Sequence, residues 1–212
     1  LMIGAVGLAT LALSFAPAFM AERWHLKIPV YFYSGIVLFL FGTVFLGEAF
    51  NFYERFWWWD LFLHGTSAMG FGIVGVVLTL LMFEGDQYAA PPYAVAGISF
   101  SFAVTIGAVW EIFEFGMDQL FGMNMQKSGL VDTMTDLMVD CFGAGLAAMS
   151  GYAFLKFRSR YGLSAIISEF ILRNRRFFRR AAREIETDGK VETHLDRLET
   201  HSRTMGVGRS DD

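Results

Sequence analysis

The chain has 212 residues, of which 54% are hydrophobic and 17% aromatic, and its mean hydropathy is +0.42. Apolar runs longer than about 18 residues recur along it, and each is long enough to cross a bilayer as a helix. This composition excludes a soluble globular domain and predicts an all-α, polytopic transmembrane helical bundle of about five spans. The net charge of −4 is unevenly divided, since residues 1–155 carry 4 Lys+Arg and 12 Asp+Glu, whereas residues 156–212 carry 13 and 9.

Residues 1–156 form the predicted transmembrane domain, with a candidate site region at 53–145. An Ala16-Pro17-Ala18 stretch resembles a signal cleavage site, but no basic region precedes it, so an uncleaved first helix is the favoured interpretation. The third and fifth segments carry small residues at spacings that let helix backbones approach closely. The five segments run over about residues 1–20, 28–48, 57–83, 93–121 and 130–156.

Residues 157–185 are predicted to form a basic amphipathic helix on the membrane surface. Their apolar residues recur at helical spacing, and most of their arginines fall outside that stripe. Such a helix is attracted to anionic membrane lipid. A solvated helix or a docking helix for a partner protein is the alternative interpretation. Residues 186–212 are polar and indicate a flexible tail, and no feature of the chain predicts binding to nucleic acid.

The distribution of basic residues predicts the orientation in the membrane. Residues 156–183 hold nine Lys and Arg and one acid, so the end of the fifth segment is expected in the cytoplasm. Counting back through the spans places the 20–27 connection, with Arg23 and Lys27, on the same side. The expected location is the bacterial inner membrane, as a multi-pass protein with a cytoplasmic C-terminus.

Acidic residues interrupt the apolar segments at three places. Because successive spans alternate in direction, all three places fall on the same side of the membrane, which this topology makes the periplasmic side. Helical spacing keeps the residues of each segment on one stripe. A charge in hydrocarbon is costly unless it is paired, protonated, metal-bound or hydrated, so the pattern predicts a polar cavity. The residues are Asp60 and His64, then Glu111, Glu114 and Asp118, then Asp132, Asp136 and Asp140.

The charge balance in this cavity favours a divalent metal ion. Arg55 and Lys127 are the basic side chains mapped to that side, and two cations cannot neutralise the eight acids there, which include Glu54. Carboxylates with one imidazole suit Mg²⁺, Mn²⁺, Zn²⁺ or Fe²⁺, and the spacing does not distinguish among these metals. The predicted ligands are Asp60, His64, Glu111, Glu114, Asp118, Asp132 and Asp136.

Structural roles compete with metal binding for several of these residues. Asp132 could be the N-cap of the fifth segment, and Asp118 could be a solvated helix end. His64 could be a neutral core histidine bonded to Asp60. Glu111 and Asp136 have the fewest structural explanations, because they lie about one to two turns inside apolar segments.

Three motifs within residues 53–145 carry a family resemblance. They are Asp60-x-x-x-His64, Trp110-Glu-x-x-Glu114, and Gly129-x-x-Asp132-x-x-x-Asp136 with Gly143 beyond. The chain resembles the YjdF-like family of small bacterial inner-membrane proteins and, more distantly, the VanZ-like family. The first group has no established activity, and the second is associated with resistance to glycopeptide antibiotics by an unsettled mechanism. The Arg usual in the last VanZ-like motif is absent, and Asp140 stands where that motif has Asn. The resemblance implies a shared site without a reaction.

The sequence leaves three functions open. The first is a periplasmic-side pocket that binds a divalent cation and binds or acts on a lipid-linked phosphate. No motif places a Ser, Cys or Tyr nucleophile beside a base, so catalysis itself is not predicted. The second is a non-catalytic accessory subunit of a larger membrane complex. The third is a proton or cation relay, although no internal repeat of the kind found in many transporters is visible.

Overall fold

A computed structural model of the protein describes residues 2–84 and 90–188. Within those ranges the chain contains helices and connecting turns and no strand, so the all-α prediction is confirmed. The elements are α1 (Met2–Arg23), α2 (Val30–Leu40) with a π-helical continuation (Phe41–Ala49), α3 (Phe52–Arg55), α4 (Trp59–Met82), α5 (Pro92–Phe121), α6 (Leu130–Lys156) and α7 (Leu163–Arg173).

Four stretches of the described chain are long and apolar enough to cross a membrane. The first predicted segment forms α1, a helix of 22 residues that is not among these four. The predicted helical bundle is thus confirmed, with a number of spans close to the predicted five. The four stretches are Val30–Ala49, Trp59–Met82, Pro92–Phe121 and Leu130–Lys156.

Local chemistry sets the ends of α5 and α6. Pro92 is the first residue of α5, where the N–H that proline lacks would have had no partner within the helix. Gly122 ends α5 with φ +65°, and Gly129 precedes α6 with φ +64°. Both angles lie in the left-handed region that favours glycine. These two glycines let the chain turn sharply, so α5 and α6 run antiparallel.

Helices α4, α5 and α6 form the core of the bundle, and small residues let their backbones approach. A methyl group on Gly143 would collide with the Gly65 carbonyl, and one on Gly75 would lie 2.9 Å from Ser99 Cα. The Ser99 hydroxyl donates to the Gly72 carbonyl across 2.7 Å. The small-residue faces predicted for the third and fifth segments are therefore helix contacts.

The three-helix core has two ends, which differ in composition. The site end is formed by the start of α4, the end of α5 and the start of α6, and the tail end lies opposite. Apolar side chains face outward along the core, as a lipid-facing surface requires, and polar ones face inward. On α5 the buried Glu111 is 4% exposed, whereas the next residue, Ile112, is 69% exposed.

The C-terminal segment packs across the tail end of the bundle. Within the predicted amphipathic segment 157–185, the chain forms α7 and then, after a turn at residues 174–178, a further helical stretch at residues 179–188. Ile167, Ile171 and Phe178 are buried in the same apolar cluster as Val76 of α4. The Asn174 side chain exchanges hydrogen bonds of 2.7 and 2.8 Å with the backbone N–H and carbonyl of Lys27. The apolar face of α7 is thus covered by the bundle. Residues 189–212 of the predicted flexible tail lie outside the described residues.

Candidate metal centre

His64 joins the three core helices at one imidazole. It lies in the second turn of α4 and is 8% exposed. Its Nδ1 atom is 3.4 Å from both carboxylate oxygens of Asp140 on α6. Its Nε2 atom is 3.8 Å from Glu111 Oε1 on α5. The side chains of His64, Glu111 and Asp140 therefore meet between the helices, about one to three helical turns from the site end.

Asp140 favours one tautomer of the imidazole. When neutral His64 donates its Nδ1–H to Asp140, the Nε2 lone pair points toward Glu111 and can bind a metal. Gly107 on α5 makes room for the carboxylate, because a methyl group there would collide with Asp140 Oδ2. The arrangement matches the carboxylate–histidine–metal triads that orient metal-binding imidazoles.

No described residue donates a hydrogen bond of good geometry to the Glu111 carboxylate. Both of its oxygens are buried, and the Thr133 hydroxyl of α6 lies near them without meeting that geometry. The 3.8 Å approach of His64 Nε2 is also too long for a hydrogen bond. A buried carboxylate without compensation is strongly destabilising. Two ligand atoms that each lie about 2.1 Å from one ion are about 3.0 to 4.2 Å apart, so the observed separation fits an ion between them.

Two groups of side chains bring ligand atoms within 4.8 Å of one another. The first contains His64, Glu111 and Asp136, and the second contains Asp60, Asp132 and Asp136. Asp136 belongs to both groups, is 2% exposed and accepts no hydrogen bond from the described residues. Five of the seven predicted ligands are therefore collected into two overlapping groups.

The other two predicted ligands have protein partners. The Trp110 indole donates to Glu114 Oε1 across 2.9 Å. Asp118 accepts hydrogen bonds of 2.7 and 2.9 Å from the backbone N–H groups of Met125 and Gln126. These bonds hold the loop that follows α5, which gives Asp118 a structural function.

A short polar layer lies at the site end beside the cluster, and we call this outer side of the cluster its mouth. The Lys127 ammonium lies 4.0 Å from Glu54 and 4.7 Å from the centre of the Tyr53 ring. Burial, together with the nearby carboxylates of Asp60 and Glu48, raises the pKa of the Tyr53 phenol. The phenol therefore stays neutral at physiological pH, and Lys127 supplies the positive charge at the mouth.

Sequence reasoning missed the partner of His64. The one hydrogen-bond partner that it considered for the imidazole was Asp60, as an alternative to metal binding, whereas the structure pairs His64 with Asp140. A signal was present, since Asp140 continues the i, i+4 series that begins at Asp132 and Asp136. No sequence pattern indicates that Gly107 makes room for Asp140, because this contact depends on which residues of α5 and α6 lie opposite each other.

A family described as predicted membrane protein (DUF2238) matches residues 3–157, so the chain belongs to that family. A protein of Thermotoga maritima, whose name is "Uncharacterized protein", is 32% identical over 133 residues, which are 61% of this chain and 66% of that protein. The chain thus spans slightly less than two thirds of this relative. No solved structure matches the chain. The family and the four apolar stretches together make this a multi-pass membrane protein.

Proposed function

We propose that this DUF2238 protein binds a divalent cation inside the bundle through His64, Glu111 and Asp136. The observation that carries the proposal is Glu111, whose two buried oxygens receive no hydrogen bond of good geometry from any described residue while one of them faces His64 Nε2. A neutral imidazole and two carboxylates together carry a formal charge of −2, which balances the charge of a divalent cation. An ion at this position satisfies the three side chains together.

The donor set narrows the choice of metal. Imidazole nitrogen with carboxylate oxygen suits Mn²⁺, Fe²⁺ and Zn²⁺, whereas Mg²⁺ and Ca²⁺ prefer oxygen ligands alone. In this scheme Asp140 does not bind the metal but orients His64, because it accepts the hydrogen bond from the Nδ1–H of the imidazole.

The resemblance to the YjdF-like and VanZ-like families remains a prediction, and it rests on several of the same residues.

The site end faces the periplasm in this proposal, and the membrane is the bacterial inner membrane. Residues 156–183, at the opposite end of the bundle, hold nine basic side chains and one acid. Positively charged segments beside membrane helices stay in the cytoplasm. Basic side chains that face outward, such as that of the exposed Arg179, are available to anionic lipid.

The ligand that we propose for the bound cation is the phosphate of a lipid headgroup. Three protein ligands leave coordination positions for an exogenous group. Lys127 at the mouth adds a positive charge, which attracts an anion. Both features favour phosphate over a neutral ligand, and neither requires a chemical reaction.

A relay across the membrane is less well supported than a binding site. Beyond the cluster, the core helices contain no Asp, Glu, Lys, Arg or His at residues 65–82, 92–110 and 141–155. The buried hydroxyls of Ser99 and Thr79 in that half donate to backbone carbonyls. The polar groups thus stop partway through the bundle.

Metal analysis of detergent-purified protein tests the cation site. The wild type is incubated with Mn²⁺, Zn²⁺ or Fe²⁺, freed of unbound metal, and compared with Glu111→Gln and with Glu54→Gln. Glu54 is a matched control because its side chain is 71% exposed at the mouth. We expect stoichiometric metal in the wild type and the control and its loss in Glu111→Gln. A wild type without metal in every incubation would overturn the proposal and favour the accessory-subunit alternative.

Phosphorus NMR tests the phosphate ligand separately. Mn²⁺-loaded protein should broaden the phosphorus resonance of short-chain phosphatidic acid, and inorganic phosphate should show whether the lipid part contributes. Lys127→Gln should retain the metal and weaken the broadening. Equal broadening by metal-loaded wild type and metal-free protein would contradict phosphate binding at the cation.

A further inference from the structure

We infer that the same cluster of side chains holds a second divalent cation, bound by Asp60 and Asp132 and joined to the first ion by Asp136. This inference rests on the proposed function, because Asp136 belongs to the first site as well. The ligand atoms of Asp60, Asp132 and Asp136 lie within 4.8 Å of one another, the same limit that defines the first group. The two groups differ in depth, since Asp60 and Asp132 are half-buried near the mouth.

Asp136 is suited to bridge two ions. Its side chain is 2% exposed and accepts no hydrogen bond from the described residues, although it lies between both groups. A carboxylate has two oxygens, so one can face each ion. An unpartnered carboxylate this deep in a membrane bundle is costly, and two cations on opposite sides would compensate it.

The charge of the cavity supports a second ion independently. The core helices carry six carboxylates at this end, and the Lys127 ammonium is paired with a seventh, that of Glu54. With neutral His64, one divalent cation leaves the six with a formal charge of −4, and a second reduces it to −2. The carboxylates counted are Asp60, Glu111, Glu114, Asp132, Asp136 and Asp140.

A pair of ions defines the ligand class more closely. Two-metal sites hold their ions about 3.5–4 Å apart and clamp the oxygens of one phosphoryl group between them. The second group lies nearer the mouth, on the side of Lys127, so a phosphate entering from the site end would meet that ion first. The ligand class is therefore a phosphate monoester headgroup, which has enough oxygens to contact both ions.

Manganese stoichiometry and electron paramagnetic resonance together test the second site. The purified wild type, loaded with Mn²⁺ alone, should hold two ions per chain and give the spectrum of an exchange-coupled pair. Asp132→Asn should hold one ion and give an uncoupled six-line spectrum. Asp60→Asn should do the same, and it leaves intact the bond from the Lys127 N–H to Asp132. Glu54→Gln should match the wild type.

The outcomes separate this inference from the proposed function. A single Mn²⁺ that survives in Asp132→Asn and Asp60→Asn but is lost in Glu111→Gln would overturn the second site alone. Two ions without exchange coupling would overturn the bridge through Asp136. No bound Mn²⁺ in the wild type, together with none of the other metals, would overturn both sites.

Discussion

In the half of α4, α5 and α6 nearest the site end, buried carboxylates and an imidazole meet between the helices. In the other half, the same three helices meet through glycine, alanine, short hydroxyl side chains and buried apolar side chains such as Val76 and Val95. The hydroxyls of Ser99 and Thr79 are satisfied by backbone carbonyls. Glu111 in the site half is not satisfied by any described residue. Among the described parts of these three helices, the buried carboxylate without a hydrogen-bond partner therefore lies in the site half.

Close contacts hold the helices together in both halves. Gly75 approaches Ser99 in the tail half, and Gly143 meets the Gly65 carbonyl beside His64 in the site half, so the distance and rotation of the helices are fixed at both places. That rotation decides that Glu111, His64 and Asp140 face one another. A precise metal centre requires such support, because ligands must be held close to their productive geometry.

Replacing His64 by Ala should have the largest effect on the site half. It removes the partner of Asp140 and leaves that buried carboxylate uncompensated, which costs about 3–5 kcal/mol. Unfolding in detergent with EDTA measures the loss. The control is Ser67→Ala, one turn along α4, whose hydroxyl bonds to the His64 carbonyl in its own helix. Equal destabilisation by the two variants would contradict the account.

Replacing Gly75 by Ala should disrupt the packing of α4 against α5 in the tail half and lower the stability of the protein. The new methyl group would lie 2.9 Å from Ser99 Cα, so α4 and α5 must separate, at a cost of about 1–3 kcal/mol. Gly70→Ala is the matched control on the same helix, since a methyl group there meets open space. It should be neutral or stabilising, because Ala favours a helix by up to about 1 kcal/mol over Gly. Thermal unfolding of both variants distinguishes close packing from a general intolerance of substitution.

Replacing Asp140 by Asn should weaken metal binding while leaving every proposed ligand in place. Loss of the charge behind the imidazole should reduce affinity for Mn²⁺ roughly 10–100-fold. Titration of purified protein with Mn²⁺ gives the affinity. Asp118→Asn, a matched substitution at a residue that holds a loop, should keep wild-type affinity. An unchanged affinity in Asp140→Asn would remove Asp140 from the site.

Replacing Gly107 by Ala should have the smallest effect. The methyl group displaces the Asp140 carboxylate without removing it, so we expect a loss of affinity below about tenfold. Gly116→Ala on the same helix is the control, because its methyl group meets nothing within 4 Å. If both variants bind Mn²⁺ equally, the close fit of Asp140 over Gly107 does not influence the site.

Hydropathy predicted the spanning helices well because a bilayer constrains both length and composition. The predicted fifth segment, 130–156, coincides with α6, and the third and fourth segments differ from α4 and α5 by one or two residues. The amphipathic helix after residue 156 was also predicted from its periodicity. That its apolar face would pack on the bundle could not be predicted, because lipid and protein offer similar surroundings to such a face.

The residues that make up the site could be predicted from the sequence more readily than the contacts between them. Alternating span direction requires Asp60, Glu111 and Asp136 to share one end of the bundle. Which of the acids contacts His64 depends on helix rotation, and the glycine contacts that set it join residues distant in sequence. The bonds from Trp110 to Glu114 and from the loop backbone to Asp118 depend on local geometry in the same way.

The most direct test compares the unfolding temperatures of wild type and Glu111→Gln, each with EDTA and with Mn²⁺. The substitution removes an unpartnered buried charge, so the variant should be the more stable protein in EDTA. Mn²⁺ at a hundredfold excess over its Kd should stabilise the wild type by about 2.7 kcal/mol and leave the variant unchanged. The order of stability should therefore reverse. An equal response of both proteins to Mn²⁺, or no response in either, would contradict a cation site at Glu111.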